Sequence, residues 1–336
     1  MQGGKLPPAL LQSLVFPRRG RRRPETVVGA GIGLDAALLD LGAESLVVLT
    51  SDPITAAGRH AGWLAVHVNC NDVAAAGGDP VALLVTLLLP PTITEADLTA
   101  LLTELDAAAS ALGVEIVGGH TEVTPGLTAP LLVVTAVGRA PRGRLVHAGT
   151  ARPGDLVYLT KGAGIEGTAI LASDFAAELT AALGADLVAR AQAFRWEISV
   201  VPEARLAVAH GATALHDVTE GGVLGALWEL AEASQVGLRV WQESIPVRPE
   251  TEAICRYFGL DPYALIGSGA LLIAAPPTAP ILAVLQDAGI PVARIGEVAA
   301  RDRRLLVRGK ALPLVPPERD ELWRLLTARA AAGTGG

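Results

Sequence analysis

The sequence predicts an α/β protein of the α+β kind, built as two domains. Three observations carry this expectation. A chain of 336 residues, 51% of them hydrophobic, holds apolar material for two cores. Short β-like runs alternate with stretches of helical period along most of its length. The small-residue segment AGTARPG, residues 148–154, interrupts that alternation and reads as a linker. The expected division is therefore residues 1–147, residues 152–316, and a terminal helix with a frayed tail over residues 317–336.

In chain order, Val27 to Gly42, VVGAGIGLDAALLDLG, reads as a glycine-rich turn and then a short strand. Its GAGIG lacks the sixth-position glycine and the long helix of a dinucleotide fingerprint, so that function is set aside. Ser45 to Thr50 is a β-like run that stops at Ser51-Asp52-Pro53. From about Gly62, the recurrence of Trp63, Val66, Cys70 and Val73 at three- and four-residue intervals predicts a helix with a buried stripe. Val81 to Leu89 is a buried strand stopped by Pro90-Pro91. Thr94 to Leu112 is an amphipathic helix with Thr94 as N-cap, Glu95 and Asp97 in its first turn, and Gly113 as its end. Val114 to Val117 is a short strand running into GGHTEV, and Leu131 to Val137 is another. This order makes a small mixed sheet covered by two helices on one face.

The second domain opens with a strand, Leu156 to Thr160, and a helix entered through the three glycines of KGAGIEG. Ala177 to Ala209 is expected to be largely helical, with Pro202 starting a new segment. ALHDVTEGG, residues 214–222, reads as a strand end and polar cluster leading into a helix from Val223 to Ser234. A strand near Leu238 to Trp241, a helix Arg248 to Phe258, a glycine-initiated strand Ile266 to Ala274, a helix Ile281 to Ala288 and a strand Arg294 to Val298 follow.

Bulk properties exclude several classes. A net charge of −7 argues against nucleic acid as a partner. The run RRGRRR, Arg18 to Arg23, is the local exception and reads either as a solvated loop or as a phosphate contact. Cys70 and Cys255 are the only cysteines; neither has metal-ligand spacing, and both are expected as buried free thiols in a reducing cytoplasm. No apolar run approaches the ~18 residues of a membrane span. The amino-terminal MQGGKLPPALLQ shows no signal peptide, so a soluble, cytoplasmic protein is expected, with no membrane partner. Of 27 basic residues only Lys5, Lys161 and Lys310 are lysines. Lys5 and Lys161 stand beside glycines, where a compact ammonium suits phosphate, or where the neighbourhood is coincidence.

The chemistry centres on NCNDVAAAGGDP, Asn69 to Pro80. Asn69 and Asp72 lie three apart and share a helix face within a strongly apolar stretch. An ionised carboxylate there costs on the order of several kcal/mol unless a cation or strong donors meet it. No Lys or Arg occurs between Gly62 and Leu89, so a divalent metal is the expected partner; the alternative is a solvated carboxylate at a helix end beside Gly77-Gly78. Asp35, Asp52 and Glu122 are expected in turns at strand ends. With Asp72 they would bring hard oxygens to one point, as magnesium requires. Gly118 and Gly119 would let backbone N–H groups approach a phosphate. Gly162 and Gly164 open a helix whose amino terminus is either an anion site or a tight connection. His216 and Asp217 would bind substrate or transfer protons, unless Asp217 or Thr219 is merely an N-cap.

Together GLDAALLDLG, SDPIT, NDVAAAGG, GGHTEV, RPGDLVYLTKGAGIEGTAIL and LHDVTEGGV resemble the aminoimidazole ribonucleotide synthetase (PurM-like) superfamily, in unbroken order from about Lys5 to Val298. That superfamily includes the purine enzyme, thiamine monophosphate kinase, selenophosphate synthetase and the hydrogenase-maturation proteins of HypE type. NDVAAAGGDP, HDVTEGG and IPVRPE run nearest to the HypE-like, AIR synthase-related members. The resemblance implies a homodimer whose amino-terminal sheets join as a β-barrel, with ATP and Mg2+ bound in a cleft. It implies metal and phosphate roles for Asp35, Asp52 and Asp72, with Asn71 beside Asp72. Gly118 and Gly119 match its nucleotide-binding glycines, and we group Thr121, Lys5, Lys161, Gly162 and Gly164 with the cofactor ligands.

The implied chemistry is ATP-dependent activation of an amide or carbonyl oxygen on a small or carrier-bound substrate, catalysed mainly by positioning and charge neutralisation. His216, Asp217 and His120 are the catalytic candidates. Alternatives are an enzyme closer to thiamine monophosphate kinase or to the purine enzyme, and a non-catalytic nucleotide-binding scaffold. Three departures stand out. His120 sits where several members carry an acid, so Glu122 is expected to have taken over that ligand role. Glu220 sits where arginine is common. HypE ends in the cysteine that carries its carbamoyl group, and residues 330–336 here contain none; Cys255, in an expected helix of the second domain, is a poor substitute, so a small or tethered substrate other than a carboxy-terminal thiol is expected.

Overall fold

A computed structural model describes residues 8–17, 23–42, 44–54, 60–143 and 145–333. The chain divides into two compact units. One comprises residues 23–29 and 35–145; the other comprises the described residues of 1–22, residues 30–34 and residues 146–333. Lys5 and Arg18 to Arg22 lie outside the described residues. A single helical turn, α1 (Pro8–Leu10), continues as a π-helix over Leu11–Val15 in the larger unit.

The smaller unit is a six-stranded mixed sheet with two helices. Its elements are β1 (Thr26–Val28), β2 (Ala37–Leu39), β3 (Ser45–Ile54), α2 (Ala61–Ala75), β4 (Asp79–Leu89), α3 (Glu95–Leu112), β5 (Glu115–Val123) and β6 (Leu131–Pro141). The strand order is β1-β2-β3-β6-β4-β5, antiparallel throughout except for the parallel pair β4–β5. Alternation along the strands sends Leu46, Val48, Leu132, Val134 and Ala136 into the core. Val47, Leu49, Val133 and Val137 are left half-buried on the opposite face.

The second helix begins and ends where the sequence predicts. Thr94 and Asp97 form a capping box, and Gly113 closes α3 in the left-handed conformation. α2 is more deeply buried than an amphipathic stripe implies, since 12 of its 15 residues are buried. It approaches the sheet so closely that a Cβ on Gly138 would lie 2.3 Å from a Val73 methyl. Its first turn is capped from α3, where Glu104 accepts the Gly62 N–H at 3.3 Å and meets His60 at 3.1 Å.

Two expectations about this unit are corrected. Asp52 and Glu122 lie within strands rather than turns, because β3 continues to Ile54 and β5 runs through GGHTEV to Val123. Pairing with full-length neighbours is the reason: β3 follows β6 from Ser45 to Ile54, and β5 follows β4 out to Val123.

The larger unit carries a seven-stranded mixed sheet. Its elements are β7 (Leu156–Thr160), α4 (Ile165–Asp174), α5 (Ala176–Leu183), α6 (Ala185–Ala193), α7 (Val201–Ala209), β8 (Ala214–Asp217), α8 (Gly222–Ser234), β9 (Gly237–Trp241), α9 (Pro249–Phe258), β10 (Leu271–Ala275), α10 (Ile281–Asp287), β11 (Val292–Ala299), β12 (Arg303–Val307), β13 (Lys310–Pro313) and α11 (Glu321–Gly333). The order is β13-β12-β9-β11-β7-β10-β8. Val157, Leu159, Leu272 and Ile295 of the sheet share a core with Leu227 and Leu230 of α8. A second core joins Leu171, Leu179, Val188, Ile254 and Leu322 from five helices. The expected helical run 177–209 is broken at Gly184 and by a 3-10 turn over Phe194–Glu197. The glycines of IGSG form a loop, so β10 starts at Leu271 rather than Ile266. The β12–β13 hairpin has no counterpart in the sequence reading. Among the described residues no helix is long and apolar enough to cross a membrane.

Gly119 tests how β4 and β5 are joined. Its φ is +141°, and a Cβ there would fall 1.8 Å from the Val85 carbonyl oxygen, whereas one on Gly118 would make only an ordinary 3.4 Å contact with Leu84. Gly119→Ala is expected to lower the melting temperature well beyond Gly118→Ala in parallel thermal scans.

Candidate active site

In the smaller unit, polar side chains of α2 are sewn to the end of β3. Asp72 is 5% exposed and its Oδ2 accepts the Thr50 hydroxyl at 2.7 Å. One turn earlier, Asn69 accepts the Asp52 N–H at 2.9 Å through Oδ1, and its Nδ2 donates to the Ala65 carbonyl at 2.9 Å. Asn71 is fully buried. The reading of Asp72 as a solvated helix-end carboxylate is therefore overturned. Asp52 projects from the same face of β3 as Thr50, toward the Asn69–Asp72 face of α2.

Within one chain the expected four-carboxylate convergence does not occur. Among the described residues, no three of Asp35, Asp52, Asp72 and Glu122 bring ligand atoms within 4.8 Å of one another. The cause is sheet order: β5 is three strands from β3, roughly 14 Å at ordinary strand spacing. Glu122 is instead engaged locally. Its Oε2 meets His120 Nε2 at 3.1 Å and its Oε1 accepts the Thr124 hydroxyl at 2.9 Å, and the His120 contact holds its carboxyl below the usual range. His120 and Glu122 thus make an oriented pair on an exposed edge strand. His120, Gly118, Gly119 and Thr121 line one end of a cleft of ≈ 430 Å³, with Leu102 and Leu105 of α3 along its wall.

In the larger unit His216 and Asp217 are buried in β8, at 2% and 1% exposure. His216 Nε2 lies 3.0 Å from Glu229 Oε2 of α8, a partner that sequence reasoning missed. The left-handed Gly221 is the N-cap of α8, so neither Asp217 nor Thr219 caps it. Lys161 also departs from expectation. Its ammonium donates to the carbonyls of Glu197, Ser199 and Gly269 at 2.9, 2.6 and 2.8 Å and pairs with Glu203 at 2.5 Å. All three donors are used internally, so the ammonium is not available to a phosphate. The Gly162 N–H is spent on Thr160 and the Ala163 N–H on Pro246, while Gly164 caps α4 in the left-handed conformation.

Two buried carboxyls lie beside these loops. Glu166, in the first turn of α4, is pushed up to about 7, chiefly by burial, with Asp320 and Glu220 adding repulsion and Ser268 donating against them. Asp320 is raised to about 6 by burial, although it accepts the N–H groups of Gly221 at 2.7 Å and Leu322 at 2.8 Å. No sequence signal marked either one, since each sits at an ordinary helix start.

A helix-covered mixed sheet with a buried Asn-Asp edge, and a second mixed sheet whose helices start from glycine loops, define a two-domain α/β protein of PurM-like fold. The chain belongs to the AIR synthase-related family. The model of that family's amino-terminal domain matches residues 33–140 and that of its carboxy-terminal domain residues 152–307. Carbamoyl dehydratase HypE of Cupriavidus necator is 32% identical over 285 residues, covering 82% of this chain and 79% of that protein. The crystal structure of E. coli HypE, a hydrogenase maturation protein, superposes with a TM-score of 0.73 at 26% identity, over 89% of this chain and 94% of that one. HypE in complex with ATP gives a TM-score of 0.71 at 25% identity, over 96% and 97%.

Glu166 makes stability depend on pH. Folded, it keeps its proton to about 7; unfolded, it keeps it only to about 4.5. The stabilisation from the neutral carboxyl is complete below pH 4.5 and is lost as pH rises through 7, by roughly 3 kcal/mol. Glu166→Gln is expected to melt with the native chain at pH 4.5 and above it at pH 8, by scanning calorimetry.

Proposed function

We propose that this chain, an ATP-dependent enzyme of the AIR synthase-related family, phosphorylates an amide or carbonyl oxygen of a small or carrier-bound substrate so that the oxygen can leave. The observation that carries this reading is the buried junction of Thr50, Asp52, Asn69 and Asp72. It offers hard oxygen atoms from a helix and from the strand packed against it. That donor set fits magnesium, with Asp72 and Asp52 as the residues that would hold it. When bound, magnesium–ATP supplies the phosphoryl group that turns a carbonyl oxygen into a leaving group. The relatives support the same chemistry, for one is named a carbamoyl dehydratase and a solved HypE is described in complex with ATP.

Each remaining role follows from this chain's own groups. Removing water from a carbamoyl group requires two N–H protons to go to a base. His216, held through Nε2 by Glu229, is the base we assign in the larger unit, and His120, oriented by Glu122, the one we assign at the cleft. Neither thiol is suited to carry the substrate. Cys70 and Cys255 are buried, and burial pushes the Cys255 thiol up to about 12, so it stays protonated and unreactive.

A second copy of the chain is the partner we assign to the open face of the smaller unit's sheet. Leu84 there is 43% exposed, and Val47, Leu49, Val133 and Val137 are half-buried. An apolar face of that extent favours association.

Calorimetric titration with ATP, with and without magnesium, tests the site. Asp72→Asn is expected to weaken magnesium-dependent binding about tenfold or more, ~1.4 kcal/mol. An unchanged affinity in a variant that melts like the native chain would remove the assignment, and tight binding without ADP release from any amide would leave a scaffold. Sedimentation is expected to give twice 34.5 kDa for the native chain, and the monomer mass for Val133→Glu.

A further inference from the structure

We propose that Glu166, Glu220 and Asp320 form a proton-operated latch, which holds the strap of residues 315–321 on the 219–222 loop while the carboxyls are neutral and releases it as they ionise. The latch is built from hydrogen bonds within the larger unit. Leu314 and Leu322, 4% and 1% exposed, seat the two ends of the strap in the unit's two cores. Between them Asp320 ties the strap down, its Oδ2 accepting the Gly221 N–H at 2.7 Å and its Oδ1 the Leu322 N–H at 2.8 Å. Pro317 lies over the same loop, 3.6 Å from where a Cβ on Gly221 would stand.

The loop beneath has little room to shift. Gly222, at φ +60°, is seated so that a Cβ would fall 2.6 Å from the Tyr263 carbonyl oxygen. The Gly267 N–H donates to the Thr219 carbonyl at 3.3 Å, and the Gly167 N–H to that of Ile266 at 2.9 Å. Four segments therefore meet at one junction: the start of α4, the 219–222 loop, residues 263–268 and the strap.

Three of these segments bring a carboxyl to it. Glu166 of α4 is 7% exposed, and among the described residues its Oε2 has no hydrogen-bond partner. Asp320 comes from the strap and the half-buried Glu220 from the loop; residues 263–268 contribute Tyr263 and the Ser268 hydroxyl, which donates to Glu166. The other charged groups of the strap are engaged elsewhere or face solvent. Arg319 donates to the Thr327 hydroxyl at 2.5 Å, Glu321 accepts from Arg324 at 2.6 Å and from the Asp261 N–H at 3.2 Å, and Glu318 is exposed.

A buried carboxyl with an unmet oxygen is tolerated when neutral and penalised when ionised, and neighbouring carboxylates add repulsion. Burial first, then Asp320 and Glu220, hold Glu166 up to about 7 against the Ser268 bonds. Burial and then Glu220 hold Asp320 up to about 6 against the N–H groups of Gly221, Leu322 and Ile266. Both values are raised, so the closed junction keeps protons that an opened one releases. Closure is firmest at low pH and weakens as pH rises through 6 and 7. Parting the strap from the loop takes Asp320 away from Glu166 and Glu220 and admits water to the carboxyls, which is why ionisation drives opening here. The latch governs the loop that follows His216 and Asp217, and it does not rest on the chemistry proposed above.

The test is trypsin cleavage of the full chain after Arg319, inside the strap, followed by mass spectrometry as an initial rate. Each rate is divided by that of a synthetic peptide of residues 314–325 at the same pH, which removes the pH dependence of the protease. Between about pH 6 and about pH 8.5 the normalised rate is expected to rise roughly tenfold or more. Glu166→Gln, which keeps the shape without the charge, should lose most of that rise, and the half-buried Glu220→Gln part of it. Cleavage after Arg205, in α7 of the same unit, should not follow it. An unchanged normalised rate at Arg319, or the full rise in Glu166→Gln, overturns the proposal. So does an equal rise at Arg205, which would mean that the unit opens as a whole.

Discussion

The smaller unit depends on burying a carboxylate and an amide from one helix against one strand. Desolvating Asp72 and Asn69 is unfavourable unless their lone pairs and protons are met, so α2 must settle where Thr50 and the Asp52 amide meet them. Two interactions one helical turn apart fix both the rotation and the height of α2 on the sheet. The seat of Val73 on Gly138 then admits no alternative spacing. Apolar burial would hold this helix to the sheet in several neighbouring positions; the polar stitches select one.

Much of the fold was legible. Periodicity gave α2, α3 and the strands between them, because an amphipathic helix and a half-buried strand leave different spacings. The buried polar face of α2 was legible for a related reason: Asn69 and Asp72 are conspicuous where everything around them is apolar. Strand ends were less so. Asp52 and Glu122 resemble turn residues, and what keeps them in strands is pairing with β6 and β4, which lies outside their own local sequence.

The remaining misreadings share a cause in distance along the chain. Lys161 beside glycines resembles a phosphate ligand, yet its three carbonyl partners come from residues 197, 199 and 269, and no window around position 161 contains them. Glu229 reads as one more polar position of α8, and only the closing of α8 over β8 brings it to His216. The Glu166–Asp320 neighbourhood joins helix starts more than 150 residues apart, where no periodic signal reaches. Local rules describe which face a residue takes, while partners across the fold decide what it does there.

Asp320 carries a consequence for how the larger unit comes apart. One carboxylate accepts the Leu322 amide at the start of α11 and the Gly221 amide at the start of α8, so it serves as clasp for both helices. Neither can fray at that end without releasing the other, which makes α11 and the 219–222 loop one cooperative opening event with a shared rate of amide exchange. The tail beyond residue 307 is therefore part of the architecture and not an appendage to it, and trimming the chain to its family-matched core would unfasten the loop that follows His216 and Asp217.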